Sequence, residues 1–416
     1  MTTSAPAGIA PFDPSWPELA IDPYPIYDRY RETDPVHWGK AANPALPGSW
    51  YLFRYEDCAA ALADPRLRSD PASVGMGEVF PPAFRPVADV FLSWLGALDA
   101  PEHTRVRSVM AKAFTPRRIR ALRPRVEALA RELLVSALAP GRPFDLVGEY
   151  AFGLPMAVIG DMLGVPERDR AQFHQLSLRF AEALDNPGDP EATATGGAAA
   201  LSMLEYFGHQ LAIRRAAPRD DLMSAMLAAA NDQGQVMTER EILAEAIEMI
   251  VAGHETTVNT VAVATHGLLA AGAWPELAGN RPDFTGPALE ELLRWVSPAQ
   301  RERNRWVSEP MSIGGRRLRV GDAVVVMLGA ANHDPTRFPR PHQLDLLRPP
   351  ARHLTFGHGP HMCLGAALAR LEVGTAMDTL VELAPTLRLA GEVRWRNNTM
   401  IPGPAALVVT AGTTDR

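Results

Sequence analysis

Cysteine occurs only twice in the 416 residues, at Cys58 and Cys363, so no disulfide framework holds this fold together and a reducing, cytoplasmic setting is expected. Long apolar runs are missing as well. None approaches the roughly 18 residues that a spanning helix needs, and the opening MTTSAPAGIAPFDPSWPELA has neither the basic start nor the apolar segment of a signal peptide. No internal repeat and no long linker divides the chain, so one domain over residues 1–416 is expected, with a proline-rich, partly flexible stretch at 1–17. A net charge of −7 argues against a general nucleic-acid binder. Acidic residues are absent between Glu102 and Glu127, where Arg105, Arg107, Lys112, Arg117, Arg118, Arg120, Arg123 and Arg125 all fall. Such a run is either a solvated helix face or a dock for an acidic partner.

With 47% hydrophobic and 21% charged residues, the chain has the composition of an ordinary globular protein with a large core. Apolar residues recur at three and four over 117–138, 151–163, 168–184, 198–215, 239–271 and 364–383, which predicts long helices. Strand-like runs are fewer: WYLFR near Trp50, RRLRVGDAVVVML from Arg316, and AALVVTA at the end. A mainly α fold with small sheets follows, not alternating βα units. Residues 70–101, which carry Phe80, Phe84, Phe91 and Trp94, and residues 185–197 are rich in glycine and proline and are expected to be irregular.

Two familiar patterns fail. Gly357-His358-Gly359-Pro360-His361-Met362 opens like a dinucleotide fingerprint, but Met362 stands where the third glycine belongs. His254-Glu255 starts like a zinc protease helix, yet Val258 occupies the second histidine's place. His358, His361 and Cys363 offer zinc three ligands, a minor alternative that predicts a colourless hydrolase.

Cys363 directly precedes the periodic segment LGAALARLEVGTAMDTLVELAP, so its sulfur is expected at a helix N-terminus, where unpaired N–H groups and the helix dipole lower a thiol's pKa. Gly357, Gly359 and Gly365 let backbone pass close to a large flat ligand, and amides beyond the cysteine can donate to the sulfur. A thiolate presented in this way suits haem iron that must cleave an O–O bond.

Phe356-Gly357-x-Gly359-x-His361-x-Cys363-x-Gly365 matches the cysteine loop of the cytochromes P450, and the chain resembles that family from DPYPIYDRY near Asp22 to its last strand. The resemblance implies a cytochrome P450 fold around haem b, with Cys363 as axial iron ligand, Phe356 packed against it and His361 at a haem propionate. Glu291-Leu292-Leu293-Arg294 resembles the family's buried structural ion pair, its two charges brought to one helix face by their i, i+3 spacing. Ala252-Gly253-His254-Glu255-Thr256-Thr257 resembles the oxygen-binding groove, with Thr256 as the alcohol that hydrogen-bonds dioxygen and Glu255 as the acid that gates protons. Cleaving dioxygen requires protons delivered without flooding the site, which an acid and an alcohol together achieve. His103-x-x-x-Arg107 and Arg305 resemble the propionate clamp, where planar guanidinium forks suit carboxylates. The segment 267–289 looks short for the family, which puts the helix normally found there in doubt.

By this resemblance the chain is a monooxygenase that inserts one atom of O2 into an organic substrate, by hydroxylation or epoxidation, and reduces the other to water. The chain ends soon after the cysteine motif, so electrons are expected from a separate ferredoxin-type donor docking near Arg117 and Arg118. Peroxide-driven or ring-forming oxidation is the nearer alternative, and a non-catalytic haem sensor the more distant one. Phe84, Phe91, Trp94, Ala252 and Ile401 are expected to line a pocket for a mid-sized organic molecule, with a role in secondary metabolism.

Overall fold

A computed structural model describes residues 9–412 apart from 77–78, 140, 230–233, 281 and 283. Helices dominate, as the periodicity predicts. Those that position the site are α1 (Glu102–Ala111), α2 (Pro116–Leu138), α3 (Gly153–Leu163), α4 (Glu167–Asp185), α5 (Pro190–Ala216), α6 (Glu239–Ala270), α7 (Pro287–Val296) and α8 (Ala366–Leu383). The main sheet is built from β1 (Val36–Gly39), β2 (Ser49–Leu52), β3 (Leu67–Arg68), β4 (Arg305–Val307) and β5 (Ala323–Val326) in the order β1-β2-β5-β4-β3, with only β2 and β5 parallel. No helix among the described residues is long and apolar enough to cross a membrane.

The longest helix, α6, starts where the sequence supplies a reciprocal cap. The Thr238 hydroxyl accepts the Glu241 N–H at 3.3 Å while the Glu241 carboxylate accepts the Thr238 N–H at 2.7 Å, so two orphan donors are satisfied at once. From there α6 runs unbroken through the core. Buried apolar residues on α6, α2, α3, α7 and α8 form one large cluster, and α6 with α3, α4 and α5 contributes to a second. His254 belongs to this packing. Its Nδ1 lies 2.6 Å from the Ile250 carbonyl, its ring meets Phe152 and His174, and burial lowers its pKa to about 3, which keeps it neutral.

Three expectations change. The stretch 185–197 is largely helical: α4 continues to Asp185 and α5 begins at Pro190, because the Asp189 carboxylate accepts the Glu191 and Ala192 N–H groups and proline suits the first helical position. The segment in doubt after α6 does hold a helix, Trp274–Asn280, anchored by the buried Trp274 indole donating to the Ala384 carbonyl at 3.0 Å. Residues 70–101 are also partly ordered into the helix Arg85–Phe91 and short turns. Of the proline-rich 1–17, residues 1–8 lie outside the described residues, while Phe12 is fully buried against Tyr27, Tyr30, Tyr51 and Phe53 and ties its segment to the sheet side of the molecule.

Candidate functional site

The loop that ends at α8 is folded on itself. The Gly357 N–H donates to the Leu354 carbonyl at 2.8 Å, the Met362 N–H to Gly359 at 3.1 Å, and the Cys363 N–H to Phe356 at 2.8 Å. Gly357 and Gly359 have φ of 69° and 73°, a region that favours glycine, and a Cβ on Gly359 would stand 2.6 Å from the Leu62 carbonyl. The loop therefore lies hard against the Tyr55–Ala63 helix while its far side faces a cavity. Phe356 lines that cavity and supports the Arg370 guanidinium, 4.3 Å from its ring.

Cys363 is exposed, but to this internal cavity; protein encloses the sulfur on its other sides. Burial pushes the thiol up, and the Gly365 amide pulls only partly the other way. The lowering expected from a helix N-terminus is opposed by burial, because the helix begins only at Ala366, three residues beyond the cysteine, with Gly365 as its cap. A cation at the sulfur is what would restore the thiolate.

The cavity encloses about 470 Å³, within the range of ligand pockets. Around it gather the expected cations. Arg305 is buried at the start of β4 with Nη1 2.5 Å from Ser69 Oγ, and Arg107 donates to the Met362 carbonyl at 2.6 Å. The His103 ring lies 4.1 Å from that of His361, whose Nε2 is 3.3 Å from Ser69 Oγ. Burial, then the neighbouring cations, lowers His361 to about 2 and His103 to about 4. His103 Nε2 and His361 Nδ1 are buried without hydrogen-bond partners. Two orphaned imidazole nitrogens and two crowded guanidiniums beside one cysteine are a donor set short of anions, and the two carboxylates of a haem fit it. The zinc alternative does not fit: His358 bonds Arg352 instead of turning to Cys363, and no metal-binding group occurs among the described residues.

On α6, Ala252 and Thr256 line the cavity. The Thr256 hydroxyl donates back to the Ala252 carbonyl at 3.0 Å. Glu255 turns from the cavity into the core, where Arg396 Nη1 donates to its Oε1 at 2.8 Å. Burial raises its pKa and Arg396 works against that rise. A carboxyl that the motif did not reveal does line the cavity: Glu372 on α8, fully buried, held up to about 8 by burial, with Oε2 3.5 Å from the Thr257 hydroxyl.

Glu291 and Arg294 form a bidentate pair, 2.6 and 2.8 Å, with both side chains almost wholly buried. Arg294 Nη1 also donates to the Asn332 and Pro341 carbonyls. Arg348 adds a third charge, its Nε 3.0 Å from Glu291 Oε1 though not aligned as a hydrogen bond.

Phe91, Trp94 and Ile401 line the cavity as expected. Phe84 does not. It is fully buried in the helical core, stacked on Phe80, and Phe80 is the ring that faces the cavity. The cavity wall also holds charges that sequence reading missed, the Asp185–Arg301 pair and the group Glu245, Glu248 and Arg303. Of the eight cations from Arg105 to Arg125, Arg107 turns inward to the Met362 carbonyl, and Arg105, Arg123 and Arg125 pair with Glu241, Glu127 and Asp161. Arg117, Arg118 and Arg120 are exposed and have no ion pair among the described residues.

The family model described as cytochrome P450 matches residues 201–270 and 283–383. The chain is 38% identical over 399 residues to the cytochrome P450 monooxygenase PikC of Streptomyces venezuelae, covering 94% of this chain and 92% of that one. It is 36% identical over 390 residues to mycinamicin IV hydroxylase/epoxidase of Micromonospora griseorubida, covering 92% and 94%. Among solved structures, the Bacillus subtilis bacillaene polyketide synthase cytochrome P450 PksS superimposes with a TM-score of 0.87 at 33% identity, over 97% of this chain and all of that one.

Proposed function

The chain belongs to the cytochrome P450 family, whose members bind haem b through a cysteine thiolate and act as monooxygenases, and from that premise we propose that Cys363 is the iron ligand of a hydroxylase or epoxidase of secondary metabolism. The observation that carries this reading is Cys363 facing a cavity beside the Arg107 and Arg305 guanidiniums and two buried imidazole nitrogens, on His103 and His361, that have no partner. His103, Arg107, Arg305 and His361 would hold the haem carboxylates, and Gly357 and Gly365, with no side chains, would leave room for the ring. When bound, the haem supplies the activation of O2 and the one-electron chemistry. By its name the mycinamicin enzyme hydroxylates or epoxidises mycinamicin IV, and the part of the cavity lined by Phe91, Trp94, Ala252 and Ile401 would take a mid-sized organic substrate beside the haem.

The chain's own residues manage protons. Thr256 holds its hydroxyl at the cavity wall, tethered to the Ala252 carbonyl, from which it can rotate to donate. Glu255 is one residue away but locked to Arg396, whose side chain is 22% exposed. Swinging Arg396 outward would free the Glu255 carboxyl to take a proton from solvent and pass it to Thr256. The Glu372 carboxyl, which burial pushes up to about 8, would be a second proton carrier on the same wall. The function is tested with isotopically labelled O2 and a reconstituted donor: label appearing in the product supports it, and label drawn from peroxide alone would replace it with the peroxide-driven reaction. Thr256→Ala is expected to lower product by roughly hundredfold, the lower end of what a positioned proton donor contributes, while O2 consumption persists and hydrogen peroxide accumulates. Equal product per O2 in variant and parent would remove Thr256 from the relay.

Electrons would enter beside α2. Its N-terminal residues Pro116, Arg120 and Arg123 form a cleft with Ala367, Arg370 and Leu371 of α8, the helix that follows Cys363. Arg117 and Arg118 sit in the first turn of α2, where the dipole disfavours cations by a few tenths of a kcal/mol or more, a placement with no structural return in unpaired residues. A ferredoxin-type acidic donor would supply the missing charge. Reversing both, Arg117→Glu with Arg118→Glu, is expected to slow reduction about tenfold at low salt and less as ionic strength rises, with the haem spectrum unchanged. Unaltered reduction kinetics at low salt would place the dock elsewhere.

A further inference from the structure

Two charged groups stand in the wall of the substrate cavity, and they differ in how completely they are satisfied. Asp185 and Arg301 form a closed unit: Arg301 Nη1 donates to Thr399 Oγ1 at 3.0 Å, and Asp185 Oδ2 accepts the Thr399 N–H at 3.0 Å. The second group is not closed. Arg303 reaches Glu248 Oε1 with Nη2 at 3.3 Å, its guanidinium lies 5.1 Å from the Phe91 ring and 5.6 Å from that of Trp94, and its Nη1 is buried with no hydrogen-bond partner. Behind it Glu245 accepts the Leu95 N–H at 2.7 Å, which fastens the segment above the cavity to α6. Burial and the neighbouring Glu248 carboxylate drive Glu245 toward its protonated form.

Space for this guanidinium is built in. A Cβ on Gly96 would stand 2.0 Å from Arg303 Nη2, so only glycine at that place admits the side chain in this pose. Gly96 is not among the glycines of positive φ, so its absence of a side chain serves the approach of Arg303 and not a turn.

We propose that Arg303 is a specificity-determining residue that reads a neutral oxygen acceptor, a ketone, lactone or ether oxygen, on an otherwise apolar substrate. The inference rests on the monooxygenase reading of the cavity. An N–H already stripped of water and left unpaired gains a full hydrogen bond when an acceptor arrives, whereas a hydrocarbon leaves it orphaned. Glu248 already balances the charge of Arg303, so a carboxylate ligand would add a net negative charge beside Glu248 in a poorly solvated wall. A cation finds no spare carboxylate, since Glu248 is engaged by Arg303. The aromatic rings under the guanidinium hold it flat and fix its direction.

The test is titration of the haem-loaded enzyme, followed at the Soret band, with cyclododecanone, cyclododecane, dodecanoate and dodecyltrimethylammonium, whose quaternary nitrogen cannot ligate iron. The parent enzyme is expected to bind the ketone about tenfold more tightly than the hydrocarbon, the lower range for a hydrogen bond to a charged donor. Arg303→Leu should bring the two within about twofold by weakening the ketone alone, and Gly96→Ala should do the same by displacing the guanidinium. A parent with no ketone preference, a preference that survives in Arg303→Leu, or tightest binding of dodecanoate or of the ammonium probe would each overturn the inference. The red-shifted Soret band of the reduced carbon monoxide complex is recorded on every sample. Its presence with no ketone preference sinks only the role of Arg303, and its absence from the parent sinks the reading of the cavity itself.

Discussion

Cys363→Ser is expected to yield a protein of parental far-ultraviolet circular dichroism whose reduced carbon monoxide complex has lost its strongly red-shifted Soret band and whose turnover falls to background. The substitution is nearly isosteric, and the contacts that shape the loop are made by backbone. The Cys363 N–H still donates to the Phe356 carbonyl, Gly357 and Gly359 keep their positive φ, and α8 still starts at Ala366. What changes is the atom presented to the cavity. Burial already raises the Cys363 thiol, and a serine hydroxyl in the same surroundings is far harder to ionise, so no anionic ligand replaces the thiolate. The loss should exceed the roughly 10–100-fold that substitutions in the outer shell of a metal site cost. A variant that keeps the red-shifted band would show that some other group ligates iron, and since the second cysteine, Cys58, is buried with its sulfur 3.1 Å from the Leu52 carbonyl, no thiol stands ready to do so.

The parts of the site legible in the sequence are those where chemistry is packed into a short segment. A cysteine loop needs glycines at fixed offsets because the backbone must take positive φ within ten residues, so Phe356 to Gly365 announces itself. The same holds for Glu291 and Arg294, one helical turn apart. Legibility fails where a side chain's role depends on a partner far along the chain. Glu255 reads as a free acid next to Thr256, but Arg396, 141 positions on, turns it into the core. Phe84 and Phe80 are indistinguishable as aromatic residues in one loop, and only the packing of α5 decides which one faces the cavity. Arg303 and Glu248 are unremarkable charges until β4 and α6 bring them together. The expectation of an irregular stretch at 185–197 misled for a local reason, because Pro190, Gly196 and Gly197 are compatible with a helix once Asp189 caps it.

The fold-level counterpart of Cys363 is the buried charge group of Glu291, Arg294 and Arg348, and its disruption should produce the largest loss of stability. Glu291→Ala leaves two guanidiniums in the interior without their carboxylate. Arg294 keeps its bonds to the Asn332 and Pro341 carbonyls, which orient it but do not neutralise it. Removing one partner of a buried pair costs about 3–5 kcal/mol, a large fraction of the roughly 5–15 kcal/mol by which a protein exceeds its unfolded state. The affected strain falls on the approach to the haem loop: Asn332 Oδ1 accepts the Leu354 N–H at 2.6 Å, and Thr355 Oγ1 donates to the Leu293 carbonyl at 3.0 Å, so α7, the segment around Asn332 and the start of the cysteine loop move as one unit. The expected outcome is a fall in haem-loaded yield and a lower urea midpoint, with the fraction that does fold keeping the red-shifted carbon monoxide band, since Glu291 touches no cavity atom. Arg294→Lys should fail nearly as badly despite conserving charge, because an ammonium cannot span both Glu291 oxygens and two carbonyls in one plane. A parental urea midpoint in Glu291→Ala would mean that Arg294 and Arg348 are solvated in solution and that the ion pair does not hold the haem-binding core.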